Sequence, residues 1–206
     1  MSYAAQAIAK MYGMEFAQQH FNFDAHPHLR QTSTLEQYAL DFGTELSNFN
    51  KGAMSQLQQN PDDTDAQCYI DTAATNVEIL VMVDFTAYYT SSFDVASFIE
   101  LAKVMQLALM AQFESCSFIN FLISLDGFLS NVPAAVAGGF NMATQLGVGY
   151  GNGNQDTSIF LAIDMYTTGW ADDRNWETIG KATLLLLSQL LKVSADGSIE
   201  VSPTGA

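Results

Sequence analysis

Two cysteines and the turn between them constrain the fold of this 206-residue chain more than any other feature of its sequence. Helical spacing on both sides of residues 90–94 predicts two long helices that fold back on each other. Cys68 precedes Ser92 by 24 positions, and Cys116 follows it by 24 positions. In an antiparallel helical hairpin such equidistant residues face each other, near the Cα separation of roughly 6 Å that a disulfide requires. We therefore predict a Cys68–Cys116 disulfide, with two separate buried thiols as the alternative.

Helical periodicity also marks the first half of the chain. Apolar residues predict one amphipathic helix over residues 2–21. The next helix begins at Ser33, where the sequence Ser-Thr-Leu-Glu matches a capping box. A third begins at Asn60, because asparagine, proline and early aspartates suit a helix N-terminus. Residues 77–89 are apolar on nearly every side, and the periodic sequence around them favours an enclosed helix over a strand.

The fourth predicted helix runs from residue 93 to about residue 128 and begins at a capping box formed by Ser91 and Asp94. Steps of three and four residues define an inward seam of the kind found in helical bundles. The seam comprises Val95, Phe98, Ala102, Met105, Leu109, Gln112, Cys116, Ile119 and Ile123. The spacing of the other residues defines this seam, and Cys116 falls within it, which supports the cross-linked hairpin.

A helix starting near Asn131 carries small residues at every fourth position. Such a face lets another helix approach closely, so we predict self-association through Ala135, Gly139, Ala143 and Gly147. Polar residues interrupt every apolar run in residues 115–155, and we therefore expect no membrane-spanning helix there. Two further helices are predicted, one over residues 156–170 with Ile163 and Tyr166 among its inward residues, and one capped by Asn175.

These patterns together predict an all-α fold. We expect a single helical domain over residues 1–206, an elongated bundle of about seven helices built around the disulfide-linked hairpin. No linker divides the sequence into two domains.

Charge excludes several classes of partner. The chain has 22 acidic and 7 basic residues and a net charge of −15. Between Lys51 and Arg174 the only basic residue is Lys103, so we expect neither nucleic acid nor an anionic membrane surface to bind. Only 14% of the residues are charged and 49% are hydrophobic, which indicates that part of the apolar surface contacts a partner.

The cross-link favours an oxidising compartment, so we predict an extracellular or secreted protein. Two observations count against this location. Residues 1–20 lack the continuous apolar segment of a signal peptide, and none of the asparagines lies in a glycosylation sequon.

All three histidines lie close together in the sequence, with a carboxylate among them. His20, Asp24, His26 and His28 are weak candidates for a zinc or copper site, and a solvated connection is the more ordinary interpretation. No Glu-x-x-His pair and no Cys-x-x-Cys-His motif occurs, so we predict no cofactor.

Catalytic motifs are absent from the sequence. There is no Gly-x-Ser-x-Gly elbow, and nothing in the sequence brings the aspartates Asp84, Asp126 and Asp164 together as an acid–base pair. We therefore predict a non-enzymatic structural or interaction protein, a self-associating subunit of an extracellular assembly. The alternative is a bundle that binds lipid or another apolar ligand, since nine methionines and fourteen phenylalanines can line such a site.

Overall fold

The computed structural model describes residues 3–20, 34–57, 64–88, 94–130 and 158–191, together with residues 133, 136, 139, 140 and 143. The continuous ranges form eight α-helices and contain no strand. The helices are α1 (Tyr3–Tyr12), α2 (Met14–His20), α3 (Thr34–Leu57), α4 (Thr64–Tyr88), α5 (Val95–Ser115), α6 (Phe118–Ser130), α7 (Ser158–Ala171) and α8 (Trp176–Leu191). The predicted all-α fold is confirmed, and residues 77–88 are helical as expected.

The predicted cross-link is also confirmed. Cys68 in α4 and Cys116, directly after α5, form a disulfide, and both residues are buried.

The chain divides into two compact units. Unit 1 comprises Met1–Lys51 and Ala66–Ser115, and unit 2 comprises Gly52–Asp65 and Cys116–Ala206. The core of unit 1 is built from α1, α2, α3 and α4, and Leu101 of α5 packs against it. Its buried residues are Ala7, Ile8, Tyr12, Ala17, Leu40, Ala73, Val77, Leu80 and Val81. A single domain over residues 1–206 stays a prediction.

The prediction of one helix over residues 2–21 was wrong, because the helix breaks at Gly13. This glycine has a φ of 91°, a conformation that costs little only for a residue without a Cβ. The break keeps helical hydrogen bonds on both sides. The Gly13 amide donates to the Ala9 carbonyl at 2.9 Å, and the Ala17 amide donates to the Gly13 carbonyl at 3.0 Å.

The single helix predicted over residues 93–128 is likewise two helices, because the helical structure breaks between α5 and α6. Ser117 has a positive φ of 58°, and α6 begins at the next residue. The inward seam holds from Phe98 to Cys116, where its residues are buried or half-buried. At both ends of the seam the prediction is wrong, because Val95, Ile119 and Ile123 are exposed. The prediction for α6 assumed that the helical spacing of α5 continues without a break, and the break at Ser117 removes that continuity.

Asp94 is the residue that caps α5. Its Oδ1 accepts from the Ala96 amide at 3.0 Å, and its Oδ2 accepts from the Ser97 hydroxyl at 2.6 Å. The predicted capping partner Ser91, like Ser33 and Asn60, lies outside the described residues.

In unit 2, α7 and α8 form a hairpin that allows close backbone contact. The Asn175 side chain caps α8 as predicted, accepting from the Thr178 amide at 3.1 Å. A Cβ on Gly169 would lie 2.9 Å from the Ile179 Cγ1 atom, so only glycine permits this approach. Ile159 and Ala162 face inward in α7, whereas Ile163 and Tyr166, also predicted inward, are exposed.

Candidate functional site

A chain of buried and half-buried amide and hydroxyl groups runs through unit 1. The Asn76 Nδ2 atom of α4 donates to the Tyr12 hydroxyl of α1 at 2.8 Å. The Asn50 Nδ2 atom of α3 donates to the Asn76 Oδ1 atom at 2.8 Å. The Gln112 Nε2 atom of α5 donates to the Asn50 Oδ1 atom at 3.2 Å. Four helices are therefore joined by side chains distant in sequence, and Asn76 and Gln112 are both 0% exposed.

The polar chain continues to the disulfide. The Gln112 Nε2 atom also donates to the Thr72 hydroxyl at 3.2 Å. That hydroxyl lies 3.8 Å from the Cys68 Sγ atom. Because each bond has a fixed direction, a rotation or sliding of one helix would break several of them together. The arrangement therefore holds α5 in one orientation against α3 and α4.

The same groups are poorly suited to proton transfer. The polar chain consists of two asparagines, a glutamine, a threonine and the phenol of Tyr12. Four of these five side chains carry amide or aliphatic hydroxyl groups, which do not titrate in the physiological range. The nearby Lys51 ammonium donates to the Met11 carbonyl at 2.6 Å and lies 5.1 Å from the centre of the Tyr12 ring. Its contacts fix the end of the broken N-terminal helix.

The three aspartates considered as catalytic acids lie in different environments. Asp84 in α4 is buried, whereas Asp126 in α6 and Asp164 in α7 are exposed. The three carboxyl groups therefore do not share one environment.

Two other carboxyl groups have shifted pKa values. Burial raises the pKa of Glu78 in α4 above its ordinary value of 4.5, because a half-buried carboxylate loses hydration. Hydrogen bonds from the Ser97 hydroxyl and the Ala96 amide lower the pKa of Asp94 below its ordinary value of 3.8. The second shift reflects helix capping rather than chemistry at a cleft.

Of the metal candidates, His20 is the last residue of α2, and Asp24, His26 and His28 lie outside the described residues. Among the residues that the structure describes, no three His, Cys, Asp or Glu side chains are grouped to hold a metal ion.

An exposed apolar surface covers one side of α5. We call it the α5 face, and it comprises Val95, Ile99, Val104, Leu107 and Met110. These side chains are between 46 and 68% exposed. Gln112 is the only buried residue of α5. The sequence predicted the inward side of this helix correctly from Phe98 to Gln112 and placed Val95 inward wrongly. It gave no expectation that the opposite side would be apolar and open.

Few charges lie on this side of α5. The Lys103 ammonium contacts the Glu100 carboxylate at 2.7 Å, and both side chains are well exposed. Glu114 is exposed near the end of the helix. By length and composition alone, α5 is the one described helix that could cross a membrane, and 6% of its most apolar window is buried in the structure.

The predicted self-association face is described only in part. Gly139 and Ala143 are helical, and Ala135 and Gly147 lie outside the described residues. A Cβ on Gly139 would meet no atom within 4 Å. The neighbouring Val136 and Phe140 are exposed. Close packing through these small residues stays a prediction.

Comparison with known protein families, with curated protein sequences and with solved structures finds no match to this chain. The site is therefore defined by its geometry alone: a polar chain that fixes α5, and an apolar face that α5 presents to solvent.

Proposed function

We propose that this protein is a structural or interaction protein that associates with copies of itself through the α5 face. The observation that carries the proposal is the exposure of five large apolar side chains on one helix. Each square ångström of such surface removed from water contributes about 25 cal/mol. Several large apolar side chains exposed on one side of a helix are typical of an interaction site.

The buried polar chain supports the same function. Gln112 projects from the inner side of α5, and its hydrogen bonds to Asn50 and Thr72 hold the helix to α3 and α4. A surface that is already rigid loses little conformational entropy when it binds. The polar chain therefore favours α5 as a preformed docking element rather than as a segment that folds on contact.

An extracellular assembly is the setting we propose for this association. The support is the Cys68–Cys116 disulfide, since such bonds persist in oxidising compartments. The alternative function, an apolar ligand held between helices, has no comparable support, because the described interior of unit 1 is crossed by hydrogen-bonded polar groups.

Size-exclusion chromatography with light scattering tests the proposal. The oxidised protein is loaded over a wide range of concentrations, and we expect a mass that rises above the 22.5 kDa of one chain. Leu107→Glu places a charge on the α5 face and should return the protein to one chain mass. Leu161→Glu, at an exposed leucine of α7, is the matched control and should associate normally. A strict monomer at every concentration would reject self-association.

A membrane is the competing use of an apolar helix. Flotation of the protein with neutral phosphatidylcholine vesicles distinguishes the two uses. Self-association predicts that the protein stays in the aqueous fractions. Vesicle binding that Leu107→Glu abolishes, without any self-association in solution, would assign the α5 face to lipid instead.

A further inference from the structure

Two residues of the α5 face, Leu107 and Met110, belong to a stripe along α5 that is complementary to itself. Lys103, Leu107, Met110 and Glu114 follow one another at steps of four, three and four residues, and all four are exposed. On an α-helix this spacing keeps the side chains within about 60° of arc. It is the spacing of a coiled-coil seam, in which two helices pack along one line of residues.

The ends of the stripe carry opposite charges. Lys103 lies at one end and Glu114 at the other, with the two apolar residues between them. Lys103 is also the only base between Lys51 and Arg174. On a chain with a net charge of −15, a second copy is repelled overall, and Lys103 supplies a positive charge on this stripe that can attract a carboxylate of the second copy.

We propose that two copies pair through antiparallel α5 helices, with Lys103 of each copy opposite Glu114 of the other. This inference rests on the self-association proposed above and specifies its geometry. The twofold axis passes between Ala108 and Leu109, which sets Leu107 opposite Met110 of the second copy. Each charge pair forms twice, as in every isologous dimer.

A parallel arrangement is disfavoured by the same charges. In register, it would set Lys103 against Lys103 and Glu114 against Glu114, and like charges in contact oppose association. The antiparallel register instead places Lys103 between two carboxylates, its own Glu100 at 2.7 Å and Glu114 of the other copy. Ala96 and Ala111 border the stripe and are small enough to let the helices approach closely.

Charge reversal tests the register. Lys103→Glu and Glu114→Lys are prepared singly, and the dimer dissociation constant of each is measured by sedimentation. Each change replaces two attractions by two repulsions, so we expect each variant to associate at least about tenfold more weakly than the unmodified chain. Mixing the two variants in equal amounts restores both attractive pairs. The mixture should therefore form a heterodimer about as stable as the unmodified dimer.

Two matched variants control for net charge. Lys10→Glu in α1 and Asp164→Lys in α7 make the same changes in charge at exposed sites on other helices, and each should dimerise normally. Circular dichroism checks that every variant is folded. The effects of the α5 variants should shrink as salt is added, since exposed charge pairs are screened.

The possible outcomes separate the register from the function. If the unmodified chain dimerises and both α5 variants dimerise equally well, the register is wrong and self-association stands. If each variant dimerises more weakly and the equal mixture does not regain the affinity of the unmodified chain, the antiparallel pairing is wrong. If the unmodified chain never associates, or binds neutral vesicles instead, the proposed function itself fails.

Discussion

Replacing Asn76 by alanine tests whether the buried polar chain holds unit 1 together. The Asn76 side chain makes two hydrogen bonds of 2.8 Å, one to Tyr12 and one from Asn50. Each contributes about 1 kcal/mol to the free energy of unfolding, and the half-buried amide of Asn50, when it loses its acceptor, adds a desolvation cost of about 1 kcal/mol. We therefore expect Asn76→Ala to lower the free energy of unfolding by about 3 kcal/mol.

Urea unfolding followed by circular dichroism measures this loss. With a slope of about 2 to 3 kcal/mol per molar, the midpoint should fall by about 1 to 1.5 M. Gln67→Ala is the matched control on the same helix, since the Gln67 amide donates to the Asp71 carboxylate at 2.8 Å on the exposed side. Removing that surface bond should cost less than about 0.5 kcal/mol. Equal midpoint shifts for the two variants would refute the reasoning.

A double-mutant cycle tests how much of the stability lost in Asn76→Ala comes from the hydrogen bond to Tyr12. Tyr12→Phe removes the hydroxyl that accepts from Asn76 and should cost about 1 kcal/mol alone. Combined with Asn76→Ala, it should cost about 1 kcal/mol less than the sum of the single changes, because one hydrogen bond is removed in both. Strict additivity would mean that the two groups are not coupled.

Three further predictions follow from single features of the structure. Gly13→Ala should lower the thermal midpoint, because its φ of 91° costs a residue with a Cβ about 1 kcal/mol; an unchanged midpoint would contradict the break in the N-terminal helix. The raised pKa of Glu78 means that its protonated form is favoured on folding, so its contribution to stability is present below its ordinary value of 4.5 and lost as pH rises through the higher folded value. Glu78→Gln should therefore stabilise the protein at pH 7, by less than about 1 kcal/mol after solvent screening, and have little effect below pH 4.5, which urea unfolding at the two pH values checks. Replacing Cys68 and Cys116 together by serine should lower the free energy of unfolding by about 2 to 4 kcal/mol, and reduction of the unmodified protein should have a similar effect in the same assay.

Much of the helical architecture was predictable from local sequence. Asn175 caps α8 because its side chain reaches the Thr178 amide, and residues 77–88 are helical because their neighbours share the helical period. The disulfide followed from the equal distances of Cys68 and Cys116 from one turn. These features depend on residues near in sequence or on one simple geometry.

The breaks at Gly13 and Ser117 were missed for a physical reason. Apolar periodicity continues through both positions, so the pattern alone indicates an unbroken helix. A glycine within a helix costs only about 1 kcal/mol, and the choice between tolerating it and breaking there depends on tertiary packing. Ser117 gives no sequence signal, because a positive φ is uncommon for serine.

The buried polar chain was partly visible in the sequence. Gln112 occupied an inward position of the predicted seam, and a buried amide requires partners. Those partners, Asn50 and Thr72, come from two other helices, and helical periodicity cannot pair positions on separate helices. The exposed apolar face of α5 was foreseen only as an excess of apolar composition without a location.

Oxidation of two methionines by hydrogen peroxide tests most directly whether a second copy covers the α5 face. Met110 in that face is 58% exposed, and Met14 in α2 is 46% exposed and serves as the internal control. Mass spectrometry of peptides gives the rate of sulfoxide formation at each residue as the protein concentration is raised. We predict that oxidation of Met110 slows as copies associate while that of Met14 stays constant. Equal, concentration-independent rates at both methionines would contradict the account.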